Sequence, residues 1–275
     1  MPQSHEITFN DGHAIPQLGF GVWQTAPEET ADAVAAALAA GYRSIDTAAA
    51  YRNEAGVGEG LKRSGLDRDD VFVTTKLWND FHGFDTTLRA FEGSLRRLGL
   101  ERLDLYLIHW PAPKQGRYLE SWRAMIRLRE EGRVSSIGVS NFGPEHLDRL
   151  IGETGVAPAL NQIELHPAFQ QAPMREADAK RGVITESWSP LGREGVLDHP
   201  TILEIARKHG KTPAQVVIRW HLALGLVVIP KSVTPSRIVE NFDVWGFELD
   251  AADMAAIGAM DDPKGRRGPD PAAFG

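Results

Sequence analysis

Short dense runs of apolar residues alternate with longer stretches of helical spacing from residue 18 almost to residue 258. Ahead of that alternation, HEITF, NDG and HAI read as a short hairpin, because Asp-Gly supplies the positive φ angles of a tight turn. LGFGVW (18–23) then reads as a strand. A helix follows from Pro27 and stops at Gly41, proline suiting the first helical turn and glycine the residue just past the last. The spacing next predicts strands at 43–48, 71–77, 103–110, 134–140, 159–165, 183–188 and 225–231. Helices are predicted between them at 53–64, 85–98, 118–131, 173–181 and 199–208, with others opened by Pro144 and Pro235 and one near 250–258. Leu88, Phe91, Leu95 and Leu98 share one face of the helix at 85–98. Thr212, Pro213 and Gln215 have the form of a capping box that starts a further helix.

Counted from 18–23, eight strands are separated by helical segments, the number that closes a parallel sheet into a (β/α)8 barrel. An open doubly wound sheet is the competing arrangement. If it bound a dinucleotide it would usually carry G-x-G-x-x-G after its first strand, and GFGVWQ and GEGLKR both fail the third position. The chain thus reads as one α/β domain over 1–275, a (β/α)8 TIM barrel with a short N-terminal β-hairpin. No low-complexity linker divides it. The tail PKGRRGPDPAAFG reads as a loose flap or a frayed end.

Composition narrows the partners. A formal charge of -7 argues against a non-specific nucleic-acid or membrane-surface binder, so an anionic ligand must meet a local basic cluster. The absence of cysteine excludes disulfides, thiolate metal sites and cysteine nucleophiles. MPQSHEITF has neither the basic nor the apolar region of a signal peptide, and no window approaches a membrane span, so a cytoplasmic protein is expected. The nine histidines include no H-E-x-x-H, and no metal is expected.

In a barrel of this kind the site lies at the C-terminal ends of the strands. Asp46, Lys76 and His109 each stand at such an end, and Tyr51 follows Asp46 by five residues. A tyrosine hydroxyl with an ordinary pKa of about 10 is a poor acid at neutral pH, but an ammonium beside it stabilises the phenolate and lowers that pKa. Asp46 would keep Lys76 charged. Each residue alone has a plainer reading: an ion pair for Asp46 and Lys76, a packing role for Tyr51, a satisfied core histidine for His109. It is the combination that points to proton-donating chemistry. Further strand ends carry Ser140 with Asn141, Gln162 with Glu164, Trp188 with Ser189, and Lys231 with Ser232.

LGFGVW, GYRSIDTAAAYRNE (41–54), TTKLWN (74–79), DLYLIHWP (104–111), SIGVSNF (136–142), NQIELHP (161–167), IPKSV and RIVEN (229–241) resemble the aldo-keto reductases over nearly the whole chain. ESWSPLG (186–192) and GKTPAQVVIRWHL (210–222) are similar to the compact bacterial 2,5-diketo-D-gluconate reductases within that family. The resemblance implies a barrel that binds NADPH and reduces aldehydes or ketones, with Tyr51 as general acid, Lys76 and Asp46 behind it, and His109 orienting the carbonyl. It places Ser140, Asn141 and Gln162 on the nicotinamide carboxamide and Trp188 against the ring. Ser189, Leu191 and Gly192 fall along the pyrophosphate, where a missing side chain at Gly192 lets backbone approach phosphate. Lys231, Ser232, Val233, Arg237, Glu240 and Asn241 fall at the adenosine end, and the two cations suit a 2'-phosphate. Val22, Trp23 and Asp46 complete the implied cofactor set. Trp23, Tyr51, Trp78, Asn79, His109 and Trp110 would line a pocket for a small polar carbonyl compound or a keto-sugar, in a monomer with no nucleic-acid or membrane partner.

Two other functions fit some of these residues. Lys76 at a strand end could be a Schiff-base nucleophile, although that role needs a neutral amine. A binding module that senses the NADPH/NADP+ ratio without useful turnover is the other.

Overall fold

The computed structural model describes residues 5–192 and 195–275; the first four residues of the start read as signal-free, and residues 193 and 194, lie outside them. Strands β1 (Glu6–Thr8) and β2 (Ala14–Pro16) form the antiparallel hairpin, with Ile7 opposite Ile15. Of the Asp-Gly pair only Gly12 has a positive φ, 90°, so the connection is wider than a two-residue turn and is closed by Phe9 N–H on His13 O at 2.8 Å. Phe9 and Ile15 pack with Leu105, Leu107, Leu160 and Val227, so the hairpin plugs one end of the barrel with apolar side chains.

The barrel strands are β3 (Phe20–Gly21), β4 (Ser44–Asp46), β5 (Phe72–Leu77), β6 (Leu103–Ile108), β7 (Val134–Ser140), β8 (Leu160–Glu164), β9 (Ile184–Trp188) and β10 (Val227–Val228). They pair in that order and all in parallel. Closure comes from a parallel bridge between Leu18 and Val228, with Gly19 N–H on Val228 O at 2.9 Å and Gly21 N–H on Pro230 O at 3.1 Å. The two closing strands are shorter than the apolar runs that encode them. Pro230 has no N–H to extend the ladder, and a Cβ on Gly19 would lie 3.0 Å from Ile229 Cγ2, which is how closely the two chains approach.

Helices α1 (Pro27–Ala40), α2 (Glu54–Ser64), α3 (Phe84–Leu98), α4 (Tyr118–Glu130), α5 (Pro144–Thr154), α6 (Ala172–Lys180), α7 (Pro200–His209), α8 (Pro213–Ala223), α9 (Pro235–Phe242) and α10 (Ala251–Gly258) surround the sheet. Gly41 ends α1 at φ 115° and packs so closely on Phe242 that a Cβ would lie 2.6 Å from its ring. The capping box of α8 is present: Thr212 Oγ1 accepts from Gln215 N–H, and Gln215 Oε1 accepts from Thr212 N–H. Phe91, Leu95 and Leu98 of α3 are buried as their spacing predicts, and Leu88 is half-buried.

Strand alternation decides which side chains reach the barrel interior. Thr75, Asn161 and Thr185 reach outward, Thr75 to Glu54 on α2 and the other two to Asp178 on α6. Their neighbours Lys76, Gln162 and Glu186 therefore face inward.

The tail is docked, contrary to its reading as a loose flap or frayed end. Glu164 Oε1 accepts from Arg267 N–H at 2.8 Å and Oε2 from Gly268 N–H at 2.9 Å. The Phe274 ring lies 4.6 Å from that of Trp110. Burial works against the charge of Glu164, but His166 and these backbone N–H groups outweigh it and hold its pKa below the usual value. Among the described residues no helix is long and apolar enough to cross a membrane.

Candidate active site

At the C-terminal ends of the strands lies a cavity of about 1190 Å³ bordered by Asp46, Tyr51 and His109, with Lys76 beneath it. Lys76, next to last in β5, faces the barrel interior and is fully buried. Its Nζ donates to Asp46 Oδ1 at 2.5 Å and to Thr47 O at 2.9 Å, and lies 5.2 Å from the centre of the Tyr51 ring. Burial alone would lower the Lys76 pKa; Asp46, with Tyr51 and Glu186, reverses this and raises it. Lys76 is thus an ammonium at neutral pH, which disfavours a Schiff-base nucleophile there.

Tyr51 closes a 3-10 turn, Ala49–Tyr51, whose next residue, Arg52, takes a left-handed φ of 59°. Asn53 fastens that turn to the loop after β3: its Nδ2 donates to Val22 O and Thr25 O, and its Oδ1 accepts from Thr47 Oγ1. Nothing in the spacing around Asn53 marks it for this role. The Tyr51 pKa departs from the expected lowering: burial raises it, Asp46 and Glu186 add to the rise, and Lys76 opposes without prevailing. The phenol is therefore protonated at neutral pH. His109 lies between Tyr51 and Trp78, with ring centres 5.6 and 5.3 Å away. Burial, with Lys76 adding to it, holds the His109 pKa well below its usual value, so its ring is neutral.

The opposite wall is hydrogen-bonded within itself. Asn141 Nδ2 donates to His109 O and Ser140 Oγ, and its Oδ1 accepts from Trp188 Nε1 at 2.9 Å. Ser140 Oγ donates to Gln162 O. Gln162 Nε2 donates to Asp46 Oδ2 at 2.9 Å and to Glu186 Oε2 at 2.7 Å. With its amide hydrogens spent, this wall offers mainly acceptors: Gln162 Oε1 and the second lone pair of Asn141 Oδ1. Acceptors of that kind suit the NH2 of a carboxamide, so this wall fits a nicotinamide. Gln24, Arg52, Asn141 and Ser189, all with φ between 50° and 64°, border the cavity, and backbone in that region is costly for residues other than glycine.

Trp23, Trp78, Trp110, Ser140, Asn141, Gln162, Trp188, Ser189, Leu191, Gly192 and Lys231 also border the cavity. Gly192 has a φ of 68°, and a Cβ there would meet Val196 at 2.4 Å, reason enough for glycine at that position. Val22 and Asn79 are buried just behind the lining. Ser232, Val233, Arg237, Glu240 and Asn241 lie on the segment leading into α9 and along it, beyond the lining. Lys231 and Arg237 are exposed and pair with no carboxylate among the described residues. Glu240 instead ties α9 to α8, its Oε1 accepting from Thr212 Oγ1.

Three features went unread in the sequence: Glu186 under Gln162, Phe274 against Trp78 and Trp110, and two cations on the cavity wall. Arg52 and Arg97 both border the cavity, and buried Glu54 holds the Arg97 guanidinium at 2.6 Å. Among the described residues no group of three His, Asp or Glu is placed to hold a metal ion.

A family model described as the aldo/keto reductase family matches residues 17–262. An aldo-keto reductase of Mycobacterium sp. (strain JLS) is 58% identical over 98% of this chain and 97% of its own length. The methylglyoxal reductase DkgA of Escherichia coli (strain K12) is 55% identical over 98% of each chain. Among solved structures, a point variant of Gox0644 in complex with NADPH superposes with a TM-score of 0.95 at 57% identity, over 99% of each chain.

Proposed function

The chain belongs to the aldo/keto reductase family, and from that premise we propose that it reduces aldehydes and ketones to alcohols with NADPH, with small α-dicarbonyls such as methylglyoxal and keto-sugars such as 2,5-diketo-gluconate as its substrate class. What carries this reading is the convergence of Tyr51, Lys76, Asp46 and His109 at one end of a cavity whose other end reaches Lys231. NADPH, when bound, supplies a hydride from its nicotinamide C4. Gln162 and Asn141, with Ser140, would take its carboxamide, and Trp188 would lie against the ring. Ser189, Leu191 and Gly192, with Val22 and Trp23, would follow the pyrophosphate. Lys231 and Arg237 would meet the 2'-phosphate beside Ser232, Val233, Glu240 and Asn241.

Tyr51, protonated at neutral pH, gives its proton to the carbonyl oxygen as negative charge develops there, and the Lys76 ammonium stabilises the phenolate left behind. Asp46 holds that ammonium in place. His109, neutral, orients the carbonyl by a hydrogen bond, and the Trp78 and Trp110 rings, with Asn79 behind them, enclose the substrate. We read the chain as one barrel domain that acts as a monomer in the cytoplasm.

The test is NADPH consumption by purified protein over a panel of small aldehydes, α-dicarbonyls and keto-sugars, with NADH as the cofactor control. Tyr51→Phe should lower turnover about 10²- to 10⁴-fold while NADPH affinity stays nearly unchanged. Turnover that survives this change would show that the acid lies elsewhere.

A further inference from the structure

A second carboxyl sits under the site. Glu186 is buried in β9, and its Oε2 accepts from the same Gln162 nitrogen that donates to Asp46 Oδ2. One amide nitrogen thus spans two carboxyl groups. On the far side of Asp46 is Lys76, and above Lys76 is Tyr51. The charged and titratable groups that face Glu186 are Asp46 from β4, Lys76 from β5 and Tyr51 from the turn after β4. If both carboxyl groups were ionised, this enclosed cluster would carry two negative charges against one positive. A single proton balances it. Asp46 is held by the ammonium at 2.5 Å, whereas among the described residues Glu186 hydrogen-bonds to a neutral amide. The proton therefore belongs on Glu186.

We propose that Glu186 is a positioning residue that holds the Gln162 amide against Asp46 and, while protonated, keeps the Asp46–Lys76–Tyr51 cluster neutral overall, and that loss of its proton slows proton donation by Tyr51. Burial foremost, then the charge of Asp46, pushes the Glu186 carboxyl up to about 8, so its ionisation falls at mildly alkaline pH. An ionised Glu186 adds a negative charge that raises the Tyr51 pKa further and makes the phenol a weaker acid. Gln162 is held in either state, because both forms of the carboxyl accept its N–H. The proton's role is thus electrostatic, and Glu186 passes it to no substrate. This inference rests on the reading of Tyr51 as the proton donor.

Two measurements decide it. In the wild-type enzyme, kcat for carbonyl reduction should fall about three- to tenfold between about pH 7 and about pH 9.5 as the carboxyl ionises. Glu186→Gln keeps a neutral acceptor for Gln162, so the ratio of the two kcat values should fall to about 1. A ratio equal to the wild-type one overturns the proposal, as does a wild-type profile without the fall. The second measurement is infrared absorption of the cofactor-free protein in the region of protonated carboxyl groups. Asp178 contributes to that region too, so the comparison uses Asp178→Asn as background. That variant should show a protonated-carboxyl band at about pH 7 that disappears by about pH 9.5 and is missing from Asp178→Asn/Glu186→Gln. No such band at about pH 7 overturns the proposal even if Glu186→Gln does not fold. Tyr51→Phe should keep the band. Turnover retained by Tyr51→Phe would remove the acid assignment and leave the band result standing, so the two failures can be told apart.

Discussion

Asp46→Asn tests how the buried charges are balanced. Lys76 Nζ has no exposure to water and two acceptors, Asp46 Oδ1 at 2.5 Å and Thr47 O at 2.9 Å. The substitution preserves shape but leaves the ammonium facing a carbonyl, an amide oxygen and a neutral phenol. Removing one partner of a buried pair costs about 3–5 kcal/mol, because the remaining charge has lost its compensation. Two features of this site favour the lower end. The new Asn Oδ1 still accepts from Nζ, and Glu186, freed from repulsion by Asp46, can ionise across the Gln162 amide in its place. The expected loss is about 3 kcal/mol in urea unfolding. Lys76→Met should cost a similar amount by stranding Asp46, whereas the double variant removes both charges and should cost about 2 kcal/mol less than the sum of the singles. The pH dependence has a definite sign. In the wild type the folded Lys76 pKa is raised, so its contribution to stability is present below the unfolded value and is lost as pH rises through the folded one. In Asp46→Asn the largest charge opposing burial is gone, so the folded state binds fewer protons than the unfolded one, and stability should recover as pH rises toward about 10. Additivity within about 0.5 kcal/mol, or a loss under about 1 kcal/mol for Asp46→Asn, would refute the reasoning.

Two further predictions concern the scaffold. Burial pushes the Asp178 carboxyl up to about 7 despite hydrogen bonds from Asn161 and Thr185, so the folded state keeps a proton that the unfolded state loses near its ordinary value. Stability should therefore decline as pH rises from about 4 to about 7, by up to about 3–4 kcal/mol from this group, and Asp178→Asn should remove that part of the slope in urea midpoints at about pH 5 and about pH 7.5. A variant slope equal to the wild-type one would rule Asp178 out as its source. Gly58→Ala would place a Cβ 2.1 Å from Leu98 O, so the overpacking between α2 and α3, about 1–3 kcal/mol, should outweigh the helix-propensity gain of about 1 kcal/mol and lower the Tm. A higher Tm would mean that the two helices separate readily.

What could be read in the sequence follows from which constraints are local. Asp46, Lys76 and His109 are placed by barrel topology alone: once the runs are strands of a parallel barrel, the residues at or beside their C-terminal ends must share one rim. The turn that carries Tyr51 was legible as a loop, but its fastening through Asn53 to Val22 spans 31 residues and leaves no periodic trace. The tail misled because Gly, Pro and charge have the composition of a frayed end, whereas its docking depends on Glu164, more than 100 residues away, offering one carboxylate oxygen to each of two consecutive N–H groups. Even Gly268, which looks like flexibility, is there because a Cβ would lie 2.5 Å from the Trp188 ring.

The effect of Lys76 on Tyr51 shows the same division. Residue types supply the sign of a charge effect, and an ammonium does lower the phenol's pKa; only packing supplies the burial that outweighs it. The tyrosine is therefore an acid held in reserve, fully protonated and reluctant, whose readiness to donate depends on every buried charge around Lys76. Glu186 is the member of that set that sequence could have flagged, as a carboxyl in an inward position of a barrel strand between outward Thr185 and Ser187. A charge there has no solvent to turn to. It must be paired or protonated, and the Lys76 ammonium is already taken by Asp46.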